Sequence, residues 1–391
     1  MTETWTSRDR VKVALEHSEP DRVPLDINPV LDFYVNLKNH LGLNIDETLK
    51  ANTAMEVIPH PAVLRALGVD MISVKLGSTK AWRPEPRSDG LVEDEWGVLR
   101  EQIFQPGGGS YLEAVYHPLA DVSIDGLDRY PWPVPDLPGR GEGAEEMAKR
   151  LYEDTDLALV GRFGGPIIET CLFMLGWDTW LIKLGLEPDY CHKLLDIVTN
   201  IHIALDRIGL EATAKYLTVL KLSGEDLGMQ TGPLYSPKMF QNMILPYLKR
   251  RCQAARTYLN QVNPQVKIML HSCGSMQRFI PDLINMGIQV LDPVQPRAKE
   301  MESDVLKSRF GDRLAFHGGV DIQEVLPRGT RKEVEAETLN RIHAFGPRGG
   351  YILAPAHAVQ ADVPPENLVT MCQTVLEKGV YPLPAAEPFS A

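Results

Sequence analysis

The chain is poor in everything that would tie it to a membrane, a secretory route or a nucleic acid. No run approaches the roughly 18 uninterrupted apolar residues of a spanning helix; residues 171–175 are the longest apolar-looking piece. The opening Met1-Thr2-Glu3-Thr4-Trp5 has no basic n-region and no apolar h-region, so no signal peptide is expected. Cysteine is scarce: five in 391 residues, odd in number and widely spaced, which excludes a disulfide framework and points to a reducing, cytoplasmic home. Basic charge is in deficit, with 40 Lys+Arg against 52 Asp+Glu and a net charge of −12, the wrong balance for a polyanionic ligand. No Gly-rich dinucleotide fingerprint follows any candidate strand, and there is no internal repeat or low-complexity segment. What is there, 44% hydrophobic and 24% charged residues, is the composition of a soluble globular protein with ample core. Length allows two or three domains or one large barrel with insertions.

Thr6 followed by Asp9 is a capping-box-like start, and Val11, Val13, Ala14 and Leu15 make the apolar stripe of a first helix that stops near Ser18-Glu19-Pro20. Asp21-Arg22-Val23-Pro24-Leu25-Asp26 then runs extended. Residues 51–140 are rich in Pro, Gly and Trp. Pro84, Pro86, Pro106, Pro118, Pro131, Pro133, Pro135 and Pro138, with Gly107-Gly108-Gly109, suggest hairpins and loops, an irregular insertion of the kind that is more often functional than idle. From Tyr152 onward short apolar runs recur at 157–160, 217–220, 266–270, 288–291, 314–316 and 351–353, separated by helical stretches such as 190–214, 237–261, 276–285 and 331–344. Apolar strands alternating with helices predict a parallel sheet covered by helices. With further strands near Val23 and Met71, the count fits an α/β fold of the (β/α)8 TIM-barrel type, one domain over residues 1–391 with 51–140 as an irregular N-terminal insertion. An open doubly wound sheet is the competitor.

A (β/α)8 barrel assembles its active site at the C-terminal ends of the strands, so the strand ends are the place to look. They read His271-Ser272-Cys273-Gly274, His317-Gly318-Gly319-Val320-Asp321, Ala354-Pro355-Ala356-His357, Ser223-Gly224-Glu225-Asp226 and Gly161-Arg162-Phe163-Gly164. His271-x-Cys273 is the sharpest signal: residues two apart in extended chain point to the same side, and imidazole with thiolate suits zinc. Taken alone, such a pair is more often a half-buried histidine and a small core cysteine. A third ligand must come from another strand end, with His357 the best placed and Glu225 and His317 its rivals. Cys171, Cys191, Cys252 and Cys372 have no partner at ligand spacing.

Several of these motifs are recognisable. Ser7-Arg8-Asp9-Arg10-Val11 with Pro20-Asp21-Arg22-Val23-Pro24, then Gly161-Arg162-Phe163-Gly164-Gly165-Pro166, Gly224-Glu225-Asp226-Leu227-Gly228, and a tail from His357-Ala358-Val359-Gln360 to Pro364-Pro365-Glu366-Asn367 resemble the uroporphyrinogen decarboxylase superfamily over nearly the whole chain. The resemblance implies a (β/α)8 barrel and one of two chemistries: metal-free decarboxylation of a tetrapyrrole, or zinc-dependent methyl transfer to or from a corrinoid. The Arg-rich early segment of a decarboxylase is missing; Pro29-Val30-Leu31-Asp32-Phe33 stands near there. His271-x-Cys273 looks like the zinc motif of the methyltransferases, whose third ligand in thiol-specific members is a Cys shortly before the tail Pro; here the match transfers that role to His357. A His/Cys/His zinc keeps one formal positive charge and is the better Lewis acid, which suits polarising an ether oxygen. The implied function is a zinc-dependent transfer of methyl from a methoxylated aromatic small molecule to the Co(I) of a corrinoid. The corrinoid would ride on a separate protein, because no Asp-x-His-x-x-Gly signature is present. Glu225 and Asp321 are then expected as catalytic acids, and Asn28, Arg162 and His317 as substrate contacts. Nucleic acid and membrane are not expected as partners, and the resemblance suggests a monomer or homodimer. The alternatives are methyl transfer from corrinoid to a thiol or folate, a metal-free decarboxylase, and a non-catalytic corrinoid or metal carrier.

Overall fold

Short apolar runs flanked by helices become strands that are buried on both faces. The computed structural model describes residues 5–49, 55–77, 79–80, 87–105 and 109–383; residues 1–4, Pro84, Pro86, Pro106, Gly107 and Gly108, on which expectations above rest, lie outside them. In chain order the strands are β1 (Met71–Lys75), β2 (Val92–Glu93), β3 (Leu99–Phe104), β4 (Ser110–Tyr116), β5 (Ala158–Arg162), β6 (Leu217–Leu222), β7 (Gly228–Met229), β8 (Gly232–Pro233), β9 (Lys267–His271), β10 (Val290–Val294), β11 (Ala315–Val320) and β12 (Tyr351–Pro355). Seven of them form one sheet in the order β1-β5-β6-β9-β10-β11-β12, and every pairing in it is parallel. Long helices such as Pro188–Thr213, Leu245–Val262, Arg331–Phe345 and Pro365–Lys378 cover the outside. The α/β barrel expected from the alternation is present.

The eighth place is taken by extended residues 23–28. Leu353 N–H donates to Pro24 O and Asp26 N–H donates to Leu353 O, both at 2.9 Å, while Asp70 N–H donates to Leu25 O at 2.8 Å. The segment therefore lies between β12 and the start of β1, where strands were expected near Val23 and Met71. Inside the ring, Met71, Ala158, Val160, Val219, Met269, Val290, Ala315 and Ile352 form a cluster that Val11 and Leu15 of the first helix complete. That helix, Ser7–Leu15, starts on Thr6, whose hydroxyl accepts from Asp9 N–H and donates to its carboxylate.

The span 51–140 is more ordered than its composition suggests, and the expectation of one irregular insertion is corrected. It contains helix Pro61–Leu67 and barrel strand β1, as well as the antiparallel sheet β2-β3-β4. The strand expected near Met71 is β1, and it belongs to the barrel and not to the insertion. Among the described residues no helix is long and apolar enough to cross a membrane.

One carboxylate holds the closure. Asp70 is fully buried and accepts from Arg10 Nη1 at 2.6 Å, Arg22 Nη1 at 2.8 Å, Arg22 Nη2 at 3.0 Å and Leu25 N–H at 2.8 Å. Its backbone carbonyl accepts from Ala158 N–H at the start of β5. Removing one partner of a buried ion pair leaves the other charge uncompensated, at about 3–5 kcal/mol. Asp70→Ala is expected to lose stability of that order, read as a lowered urea midpoint. A variant within about 1 kcal/mol of the parent would show that the closure rests on backbone pairing alone.

Candidate metal centre and active site

Successive residues of a strand point to opposite faces, so each barrel strand sends every second side chain inward. The lower inward positions are the apolar cluster above; one step further along, the same positions turn polar. Arg162 follows Val160 on β5, Lys221 follows Val219 on β6, His271 follows Met269 on β9, Asp292 follows Val290 on β10 and His317 follows Ala315 on β11. These five line one cavity at the barrel mouth together with Asp26, Asn28, Ser73 and His357. This is where the fold places chemistry.

His271, Cys273 and His357 meet there. One donor atom from each lies within 4.8 Å of the others, with Cys273 Sγ 3.4 Å from His271 Nε2. Three residues past β9, the chain turns at Gly274 (φ +77), where a β-carbon would come within 2.3 Å of the Gly228 backbone; only glycine fits both demands. Asp292 Oδ2 sits 2.7 Å from His271 Nδ1, which fixes that nitrogen as the N–H and leaves Nε2 as a free lone pair towards Cys273. A carboxylate behind a ligating histidine is the usual outer support of a metal site. Asp292 also pairs with Lys221 Nζ at 2.5 Å and His317 Nδ1 at 2.5 Å, and His317 Nε2 lies 3.0 Å from Asp26. Burial alone would favour the neutral acid, yet Lys221, His317 and His271 hold Asp292 well below the usual carboxylate range.

Cys273 lies in the opposite field. Burial, then Asp226, Glu169 and Asp292, push its thiol well above the ordinary value, so the group becomes a thiolate only against a cation. The crowded mouth, then His271, lower His357 and keep it a neutral imidazole. An imidazole held neutral at His357 and a cation-requiring thiol at Cys273 are what a zinc site asks for. Donors of one tetrahedral zinc lie roughly 3.5 Å apart; the 3.4 Å between Cys273 Sγ and His271 Nε2 matches that, and all three donors lie within 4.8 Å. Among the described residues this is the one such cluster, and the four other cysteines are buried free thiols.

Neither rival for the third ligand joins the group. His317 spends both ring nitrogens on Asp26 and Asp292. Glu225 is buried and its two oxygens accept from Ile167 N–H and Ile168 N–H, at 2.7 and 2.8 Å, at the start of helix Ile167–Leu175. Burial raises it to about 7 against the pull of those two donors. It caps that helix and stands outside the ligand group, where a nearby acid was expected. Asp321 is engaged likewise: Oδ1 accepts from Gln323 and Glu324 N–H in the turn after β11, and Oδ2 pairs with Arg297. Asn28 and Arg162 do line the mouth, each donating to Glu56 at 2.6 and 3.0 Å.

Sequence reasoning noted Asp292 at the end of the 288–291 strand without giving it a role, and passed over Lys221, Glu56 and Glu169. Asp292 and Lys221 were legible as charges on the inward parity of apolar strands. Glu169 is the lone charge in the apolar helix Ile167–Leu175. A β-carbon at Gly224 would lie 2.9 Å from its Oε1 and 3.1 Å from His271 Cδ2, so the carboxyl group stands beside the triad. Burial, then Asp226 and Glu225, raise it well above the carboxylate range. Of the tryptophans in 51–140, Trp96 packs on Trp132 and His202, and Trp82 lies outside the described residues.

Comparison with known proteins gives the following. A family model described as "Uroporphyrinogen decarboxylase (URO-D)" matches residues 104–377. The uroporphyrinogen decarboxylase of Legionella pneumophila strain Philadelphia 1 is 22% identical over 251 residues, 62% of this chain and 66% of the relative, so the match spans just under two thirds of that protein. That of Geobacter metallireducens is 22% identical over 274 residues, 68% of this chain and 72% of the relative. Among solved structures, a methyltransferase from Methanosarcina mazei superposes with a TM-score of 0.61 at 19% identity, covering 96% of this chain and 99% of the other; it shares the fold.

Burial opposes charge on His317, but Asp292 and Asp26 outweigh it and raise the imidazole to about 9. In the unfolded chain it deprotonates near pH 6.5. Between those values the folded state holds the extra proton, so stability falls as pH rises, by about 1.4 kcal/mol per unit and roughly 2–3 kcal/mol in all. Urea unfolding between pH 6.5 and 9 is expected to show this slope and to lose it in His317→Gln; the same slope in both proteins would assign the proton elsewhere.

Proposed function

The chain belongs to the uroporphyrinogen decarboxylase family, and within it we propose that this protein is a zinc-dependent methyltransferase that takes a methyl group from a methoxylated aromatic small molecule and delivers it to the Co(I) of a corrinoid carried by a separate protein. The observation that carries the reading is the meeting of His271, Cys273 and His357 in one corner of the barrel mouth, a donor set with no use in metal-free decarboxylation. Zinc bound there supplies Lewis acidity to the ether oxygen.

The chain's own residues do the rest. Asp292 holds His271 with Nε2 presented to the site, and Lys221 with His317 keep Asp292 ionised for that task. The barrel mouth excludes bulk water from the base of the site, which strengthens every charge interaction there. In the transfer, the methyl carbon leaves oxygen for cobalt and the oxygen takes up a proton. Glu225 is committed to its helix, whereas Glu169 stands beside the triad in position to give that proton. Methyl transfer from corrinoid to a thiol or folate uses the same ligands in reverse.

Two measurements test the reading. His271→Ala, Cys273→Ala and His357→Ala are each expected to lower zinc affinity about 100-fold or more against the parent, read by metal analysis after dialysis; full retention in His357→Ala would remove it as the third ligand. Zinc-loaded protein given Co(I) cobalamin and methoxybenzoates is expected to form methylcobalamin, followed by its absorbance, and to stop on chelation. Decarboxylation of uroporphyrinogen surviving complete zinc removal would overturn the reading.

A further inference from the structure

Three neighbouring strands end in cations on their inward parity. Lys75 follows Met71 and Ser73 on β1, and β1 pairs with β5 so that Lys75 is directly opposite Arg162; Gly161 opposite Leu220 brings Lys221 to the same level on β6. A wall of one sign inside a chain of net charge −12 needs an explanation, because like charges side by side in a half-buried site repel.

Two of the three are matched. Arg162 pairs with Glu56 at 3.0 Å and Lys221 with Asp292 at 2.5 Å. Lys75 is not: among the described residues no carboxylate lies within ion-pair reach of its ammonium, and Glu56, whose field it feels, already accepts from Asn28 on one oxygen and Arg162 on the other. Burial, then Arg162, lower Lys75 to about 8, so it still carries its charge at neutrality. A buried charge without a counter-ion is costly unless something pairs with it. Arg162 and Lys221 line the same cavity as His271 and His357, and Lys75 stands beside that wall, opposite Arg162 in the register of β1 and β5.

We propose that Lys75 and Arg162 form a seat for the carboxylate of an aromatic substrate, which orients the ring with its other end towards His271, Cys273 and His357. Arg162 offers N–H donors beyond the one given to Glu56, and Lys75 brings the unmatched charge; together they can hold a carboxylate by charge-assisted hydrogen bonds. The seat narrows the methyl donor of the proposed function to methoxylated aromatic acids, and to that extent rests on that reading. The seat itself does not require methyl transfer.

Calorimetric titration of the whole protein, zinc-loaded and zinc-stripped, with benzoate, benzyl alcohol and inorganic phosphate tests it. Benzoate is expected to bind saturably and at least about 10-fold more tightly than neutral benzyl alcohol, with little change on zinc removal. Lys75→Met is expected to weaken benzoate about 10-fold, with zinc content and Tm held, and Lys75→Arg to restore it to within about threefold. Equal affinity for benzoate and benzyl alcohol, benzoate binding that vanishes with the zinc, or an unchanged Lys75→Met would overturn the seat, and phosphate displacing benzoate at equal affinity would overturn the carboxylate class. If Lys75→Met fails to fold, the comparison of benzoate with benzyl alcohol on the parent protein decides. Binding of 4-methoxybenzoate as tight as benzoate without methyl reaching Co(I) would keep the seat and remove the methyltransferase reading.

Discussion

Closure of the barrel is the constraint from which the site follows. A parallel ring of this kind leaves no edge only when an eighth segment completes it, and here that segment is a short extended stretch, residues 23–28, with few backbone bonds of its own. Asp70 supplies what those bonds do not, gathering Arg10, Arg22 and Leu25 N–H on one buried carboxylate. The same closure sets Asp26 against His317 and Asn28 against Glu56. Loss of the clasp would therefore reach the mouth through Asp26 and Asn28, although neither Arg10 nor Arg22 lies near the triad's ligands.

Within the closed ring Asp292 plays the corresponding part for chemistry. A single ionised carboxylate inside a barrel is tolerated only when surrounded by compensating groups, and Lys221, His317 and His271 surround this one. The arrangement determines which nitrogen of His271 faces the site. It also explains why His317, a plausible ligand by position, is none: its two nitrogens complete the bridge from Asp292 to Asp26. The barrel wall thus divides its polar residues into those that face the ligand corner and those that hold them there.

The sequence carried the fold clearly, because apolar strands and intervening helices repeat with little ambiguity from Tyr152 onward. It was blunter about the first half, where a strand near Met71 was expected but proline density obscured the antiparallel sheet behind it. For the site, position after a strand identified His271, Cys273 and His357, and the structure brings all three together. The same rule singled out Glu225 and Asp321, which the structure sets outside that group. Position along the chain tells where a side chain emerges and not which donors await it; Glu225 meets the N-terminus of helix Ile167–Leu175, and Asp321 the N–H groups of its own turn. Lys75 and Lys221 needed only the period-two rule applied to strands whose other inward residues are apolar. The recognised motifs proved mostly structural: Arg8 braces the carbonyls of Tyr152, Thr155 and Leu157, and Asn367 those of Leu326 and Gly329.

The structure also sharpens the charge argument for zinc. Counting ligands alone, His/Cys/His leaves a zinc ion one positive charge richer than His/Cys/Cys, and so a stronger Lewis acid. Carboxyl groups outside the donor set modify that count. Asp226, Glu169 and Asp292 all act on the Cys273 thiol, yet they are not equivalent. Asp292 is matched by Lys221 and His317, and Glu169 favours its neutral form through burial beside Asp226 and Glu225. What remains to offset the residual charge is Asp226, near the sulfur, against the cations of the β1-β5-β6 wall further along the mouth. The field therefore runs from anionic near the sulfur to cationic at the wall, a gradient that would orient the proposed substrate with its negative charge remote from His271, Cys273 and His357.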